Sequence, residues 1–151
     1  MTVTVASAGA LVRERFGIEP TTDGNLLTVP LERDRWQEFA RVAKTELGCR
    51  FFNWLSAIDW KEQGLEVLAR IDNLEGKLAV MMRAKLPAGD VHCPTLTGIY
   101  RGANWHEREC YDLLGVVFDG HPDLRRILLG QDWVGHPLRK DWVDAGFAPY
   151  R

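Results

Sequence analysis

Residues 33–86 constrain the fold most, because a helical repeat there gives way to three β-like runs in succession. Trp36, Phe39, Ala40, Ala43 and Leu47 recur at helical spacing from about Arg33, and Gly48 supplies the stop. One apolar stripe of that kind must be buried against another layer. The layer follows at once. Residues 49–58, 64–72 and 77–86 read as strands, joined by turn-forming stretches at 59–64 and 73–76. Such short connections predict antiparallel neighbours. Val67, Ala69 and Ile71 alternate with Leu68, Arg70 and Asp72, as a strand with two different faces requires.

The flanks are shorter pieces. Ser7 is the expected cap of a helix over 8–16, ended by Gly17 and kept from resuming by Pro20. Residues 26–29, closed by Pro30, form a strand candidate, and 87–94 reads as loop. Thr95 is placed to cap a short helix over 96–100 and Asn104 a second through Leu114, with Gly115 as its stop. Residues 116–118 give a last strand. The predicted class is α+β: N-terminal helices packed on a small, mainly antiparallel sheet, with an irregular extended C-terminal tail. The body spans 1–118 and the tail 119–151, one domain overall. Trp133, Trp142, Phe147 and Tyr150 give the tail anchors across this domain or a neighbour.

A chain of 151 residues, 46% hydrophobic and 26% charged, supports one core. A net charge of -2 gives no reason to expect nucleic acid or an anionic membrane surface. Three dispersed cysteines, Cys49, Cys93 and Cys110, form no disulfide framework and suit a reducing, cytosolic setting. The first residues lack the basic start and apolar run of a signal peptide, and no stretch approaches the roughly 20 apolar residues of a membrane span. Membrane association is therefore expected only through something else.

The chemistry concentrates in residues 107–129, which follow no single period. Glu107, Arg108, Glu109 and Asp112 precede an Asp119-Gly120-His121-Pro122 turn and the basic pair Arg125-Arg126. His106 and Cys110 lie four apart on one helix, a permissive start for a metal site or a small metal-dependent hydrolase. A tetrahedral site would also need His92, Cys93, His121 or His136, without the paired spacing of a zinc or iron-sulfur run. Dinucleotide and phosphate-loop patterns are absent from the sequence, and neither Ser7 nor Ser56 sits in a nucleophile elbow. Cys110 as a nucleophile would lie beside Glu107 and Glu109, which disfavour the thiolate. The acids read better as ion-pair architecture: Arg108 and Asp112 as an i,i+4 pair, with Arg125, Arg126 and Arg139 meeting the other acids or a partner.

The same residues carry a resemblance. Glu107-Arg108-Glu109, Asp112-Leu113-Leu114, His121, Arg125 and Ile127-Leu128 resemble the signature of the thirty-kilodalton (C-type) subunit of respiratory complex I, the proton-translocating NADH:quinone oxidoreductase. The likeness extends to Ile99-Tyr100 and Gly102 to Trp105 before it, and to Asp132-Trp133, Gly135 and Pro137 to Asp141 after it. It implies a member of the hydrophilic arm that carries no catalytic residue, cofactor or metal of its own. FMN, iron-sulfur clusters and quinone would belong to partner subunits. The expected partners are the forty-nine-kilodalton (D-type) subunit, which forms much of the quinone cavity, and other hydrophilic-arm subunits, at the cytoplasmic face of the membrane. Glu107, Arg108, Glu109, Asp112, His121, Arg125, Arg126, Arg139, Lys140 and Asp141 carry over as interface or scaffold positions. Related subunits occur in membrane-bound [NiFe] hydrogenases, formate hydrogenlyases and ferredoxin-dependent photosynthetic relatives, so the resemblance leaves the electron donor open.

Overall fold

A computed structural model describes residues 2–143. Phe147 and Tyr150, expected as tail anchors, lie outside the described residues. The chain begins with α1 (Val5–Phe16), whose cap stands earlier than the sequence suggests. Thr4 is the cap, and Ser7 at the third helical position answers it in a reciprocal capping box. Gly17, at φ 67°, closes the helix.

A five-stranded sheet follows. β1 (Thr21–Asp23) pairs antiparallel with β2 (Leu26–Leu31). After a 3-10 turn at Arg33–Arg35 comes α2 (Trp36–Thr45), then β3 (Phe51–Asp59), β4 (Leu65–Asn73) and β5 (Leu78–Lys85). The order is β1-β2-β5-β4-β3, and β3, β4 and β5 form the expected antiparallel meander. One pairing departs from expectation, since β2 runs parallel to β5. Pro30 does not close β2 but lies inside it, past Thr28, where pairing with β1 has ended and a missing N–H costs nothing.

Register explains the core. Leu27 faces Val80 and Ile71; Val29 faces Met82 and Ala69; Leu31 faces Ala84 and Val67. These three cross-strand rows are buried and share one cluster with Val12 and Phe16 of α1 and Trp36, Phe39 and Ala43 of α2. The other sheet face is polar where it is deepest: Arg83 pairs with Glu66 at 2.5 Å, and Asp72 takes Arg70 at 3.0 Å and Asn53 at 2.7 Å. Two faces of one strand thus meet different surroundings, as the alternation in β4 anticipates.

Residues 86–119 extend the same core beside α2. The expected loop contains β6 (His92–Pro94), which pairs in parallel with β7 (Val117–Asp119). Residues 96–100 form only a turn, because the Thr95 hydroxyl reaches Glu107 instead of serving a helix cap alone. The following helix, α3 (Ala103–Leu114), starts at Gly102 with no side-chain cap, so Asn104 is inside the helix and not its cap. α3 lies against β3. From Gly120 to Val143 the described chain has neither helix nor strand and folds back on the C-terminal end of α3.

Candidate functional site

A helix ends with four carbonyls that lack partners within it; at the end of α3 the Gly115 N–H meets that of Tyr111 at 2.9 Å, and the tail supplies partners for the other three. The Asp112 carbonyl accepts from Arg126 Nη1 at 2.9 Å and from His136 Nδ1 at 3.0 Å. The Leu113 carbonyl accepts the Leu138 N–H at 2.9 Å, and the Leu114 carbonyl accepts Arg139 Nε. Cationic donors at a helix C-terminus also complement its partial negative charge. Gly115, at φ 78°, makes the turn away, and a Cβ there would stand 2.7 Å from the His136 ring. Only glycine fits both demands.

Asp112 anchors the other half of the tail. Its side chain is fully buried, yet Oδ2 accepts three consecutive amides, Ile127 at 3.1 Å, Leu128 at 2.8 Å and Leu129 at 2.9 Å, while Oδ1 takes Arg126 at 2.8 Å. Burial pushes this carboxyl up, but Arg126 and the three amides outweigh burial and hold it below its ordinary value. Arg126 also reaches the Gly135 carbonyl at 2.9 Å. One arginine thus clamps helix and tail together.

The predicted i,i+4 pair between Arg108 and Asp112 does not form. Asp112 points under the tail and is saturated there, so Arg108 turns outward and donates to the carbonyls of Arg125 at 3.2 Å and Arg126 at 3.0 Å. Its guanidinium also lies 5.3 Å from the exposed Trp105 ring. Arg125 forms an exposed bidentate pair with Asp123. Glu109 is exposed, at the outer face of α3. Lys140 is held through its backbone N–H, which donates to Asp59 at 2.8 Å, and it flanks exposed Asp141.

Glu107 belongs to a separate, buried cluster. It is fully buried and accepts from the Leu96 amide and the Thr95 hydroxyl, each at 2.6 Å. Burial raises its carboxyl to about 7, the two donors opposing that rise. His121 Nε2 stands 4.0 Å away and 3.2 Å from the Asn104 carbonyl. Because His121 Nδ1 receives the Asp123 N–H, the network assigns its proton to Nε2. The signature residues therefore split into two groups, one holding residues 95–97 and the start of the tail, the other holding the tail itself.

Cys110, the candidate nucleophile, faces the core, and burial, then Glu107 and Glu109, push its thiol far up. His106 packs on Phe52 at 5.6 Å between ring centres. Among the described residues no group of three or more His, Cys, Asp or Glu is placed to hold a metal ion. Sequence reasoning missed His136 and Asp59 as anchors. Gly-His-Pro occurs twice in the sequence, at 120–122 and 135–137, and that recurrence was the signal available for His136.

The tail turns a set of apolar side chains outward. Leu128, Trp133, Val134, Leu138 and Val143 are exposed, Val134 to 86%. Trp133 stacks on Trp142 with centroids 6.1 Å apart, but 42% of Trp133 remains open. This arrangement presents an anchored strip with apolar projections and a charged border.

Comparison with known proteins assigns the chain to a lineage. The family described as respiratory-chain NADH dehydrogenase, 30 Kd subunit, matches residues 29–147. The C subunit of NADH-quinone oxidoreductase from Rhodobacter capsulatus is 37% identical over 129 residues, 83% of this chain and 64% of that protein. Its counterpart in Chlorobium phaeobacteroides, named alike, is 37% identical over 144 residues, covering 87% of this chain and 84% of the relative. That of Salinispora arenicola is 36% identical over 129 residues, covering 82% and 53%. The chain thus spans about half to four-fifths of the length of these relatives. Among solved structures, a trypsin-resistant fragment of Nqo5 aligns with TM-score 0.69 at 28% identity, over 80% of this chain and 99% of that one. A chain of the membrane-bound sulfane sulfur reductase, an archaeal respiratory membrane complex, shares the fold with TM-score 0.73 at 21% identity, over 90% and 83%. With α2, the β3-β4-β5 meander, the signature helix and most of the tail inside the matched span, the chain belongs to the respiratory-chain NADH dehydrogenase 30 kDa subunit family.

Proposed function

We propose that this chain is a structural subunit in the peripheral arm of a proton-translocating NADH:quinone oxidoreductase, where it supports the forty-nine-kilodalton (D-type) partner at the quinone site. The observation that carries this reading is the tail: clamped from beneath by Asp112, Arg126 and Arg139, it turns Leu128, Trp133, Val134, Leu138 and Val143 outward. A pre-ordered apolar strip loses little conformational entropy on docking, so it suits a lasting interface. Arg125, Glu109, Lys140 and Asp141 form its charged rim. Electrons would pass through FMN, iron-sulfur clusters and quinone in partner subunits, with none held by this chain's own residues. No described helix is long and apolar enough to cross a membrane, and this reading has the chain reach the cytoplasmic face through its partners.

Purification of the tagged chain from its own cells after gentle solubilisation tests this. Stoichiometric recovery of the D-type partner and other arm subunits, with quinone reduction, is the expected result. A tagged chain recovered alone would overturn it.

A further inference from the structure

Away from the apolar strip, three segments converge on an open cleft of about 390 Å³. Gln37 and Arg41, one turn apart on α2, form one wall; Thr97 and Arg101 of the following turn form another; Asn104 at the start of α3 and Pro122 close it. The lining contains no aspartate or glutamate. Among the described residues, neither Arg41 nor Arg101 donates to a carboxylate or carbonyl, whereas every other described arginine except Arg50 does. Arg13, Arg15, Arg33, Arg35, Arg70, Arg83, Arg125 and Arg126 hold carboxylates, and Arg108 and Arg139 hold backbone carbonyls.

Two exposed arginines line one acid-free cleft, and neither charge is spent on a described carboxylate, so an anion from outside the chain would meet both. We propose that this cleft is a carboxylate-binding site that receives an acidic side chain of a neighbouring subunit, gripped by Arg41 and Arg101. A guanidinium fork matches a planar carboxylate, and the Asn104 side-chain amide and the second amide N–H of Gln37, whose first donates to the Thr95 carbonyl at 2.8 Å, add neutral donors. The cleft is a second contact, built from α2, the start of α3 and Pro122, and it shares no residue with the apolar strip of the tail. It rests on the reading of this chain as part of a larger assembly.

The test uses the assembled complex carrying R41K or R101K. Each substitution keeps the charge and introduces an amine that a carbodiimide condenses with a touching carboxylate: an amide forms, and the carbodiimide takes up the water as a urea. The expected product is a cross-linked peptide joining position 41 or 101 to an aspartate or glutamate of another subunit. R41E/R101E should lower recovery of the assembly at least about tenfold, while R50E changes it less than about twofold. An intact complex without such an amide, or with normal recovery of R41E/R101E, overturns the site while leaving the proposed function standing. Native mass spectrometry showing phosphate or a phospholipid that R41E/R101E removes would also overturn it. A chain recovered with no partners overturns both.

Discussion

Asp112 is where one side chain decides the most, because a buried carboxylate is costly unless its lone pairs are filled, and here four donors fill them. Asp112→Ala removes the acceptor but leaves Arg126 and three amides turned toward an empty space. A loss of about 3 kcal/mol is expected, read as a lower urea midpoint for the isolated chain. Glu107 behaves oppositely. Its folded carboxyl titrates near 7 against 4.5 for the free group, so the folded state retains a proton through that interval. Its contribution to stability is complete below about pH 4.5, declines as pH rises toward 7, and is level above. Glu107→Gln keeps the shape and an acceptor for the Leu96 amide but cannot ionise. The variant should lose the decline between pH 4.5 and 7 and exceed the parent at about pH 8 by up to roughly 3 kcal/mol, with urea titrations across pH as the check. A parallel pH profile in both proteins would show that another group controls that interval.

At the scale of elements, the end of α3 depends on Gly115. Gly115→Ala would force a left-handed φ on an L-residue and drive a methyl into the His136 ring, so the tail should lift from the helix. Amide exchange at Leu138, whose N–H is bound to the Leu113 carbonyl, should accelerate while β4 and β5 stay protected. The same elements mark the limits of reading the sequence. The α2 stripe and the β3-β4-β5 meander were legible because helical and strand periods follow from one-sided burial. The parallel β2-β5 pair was not, since it joins segments far apart in the chain and leaves no local turn signal. The α3 signature was legible as a cluster but not in its wiring: the sequence spacing favoured Arg108 for Asp112, whereas tertiary folding brought Arg126 from 14 residues away. Asp59, legible only as a turn residue, and His136, legible only as a possible metal ligand, were missed as anchors for the same reason, since the tail reaches them only in the folded chain.

For the molecule as a whole, anchoring of the tail and docking by the tail are different jobs carried by different faces, and substitutions should separate them. Arg126 holds the tail from inside and Arg108 from its outer edge, so Arg126→Ala should lower both the stability of the isolated chain and its recovery with partners. Val134 and Leu138 point outward, and Leu138 is tied to the body through its backbone N–H, which a side-chain change leaves in place. Val134→Asp with Leu138→Asp should therefore keep the stability of the isolated chain within about 0.5 kcal/mol of the parent, the range for exposed positions. In cells the same pair of charges would be buried without partners at the interface, and co-purification of the D-type partner should fall at least about tenfold. If the double variant assembles normally, the outward strip is not the docking surface, and the apolar projections need another explanation.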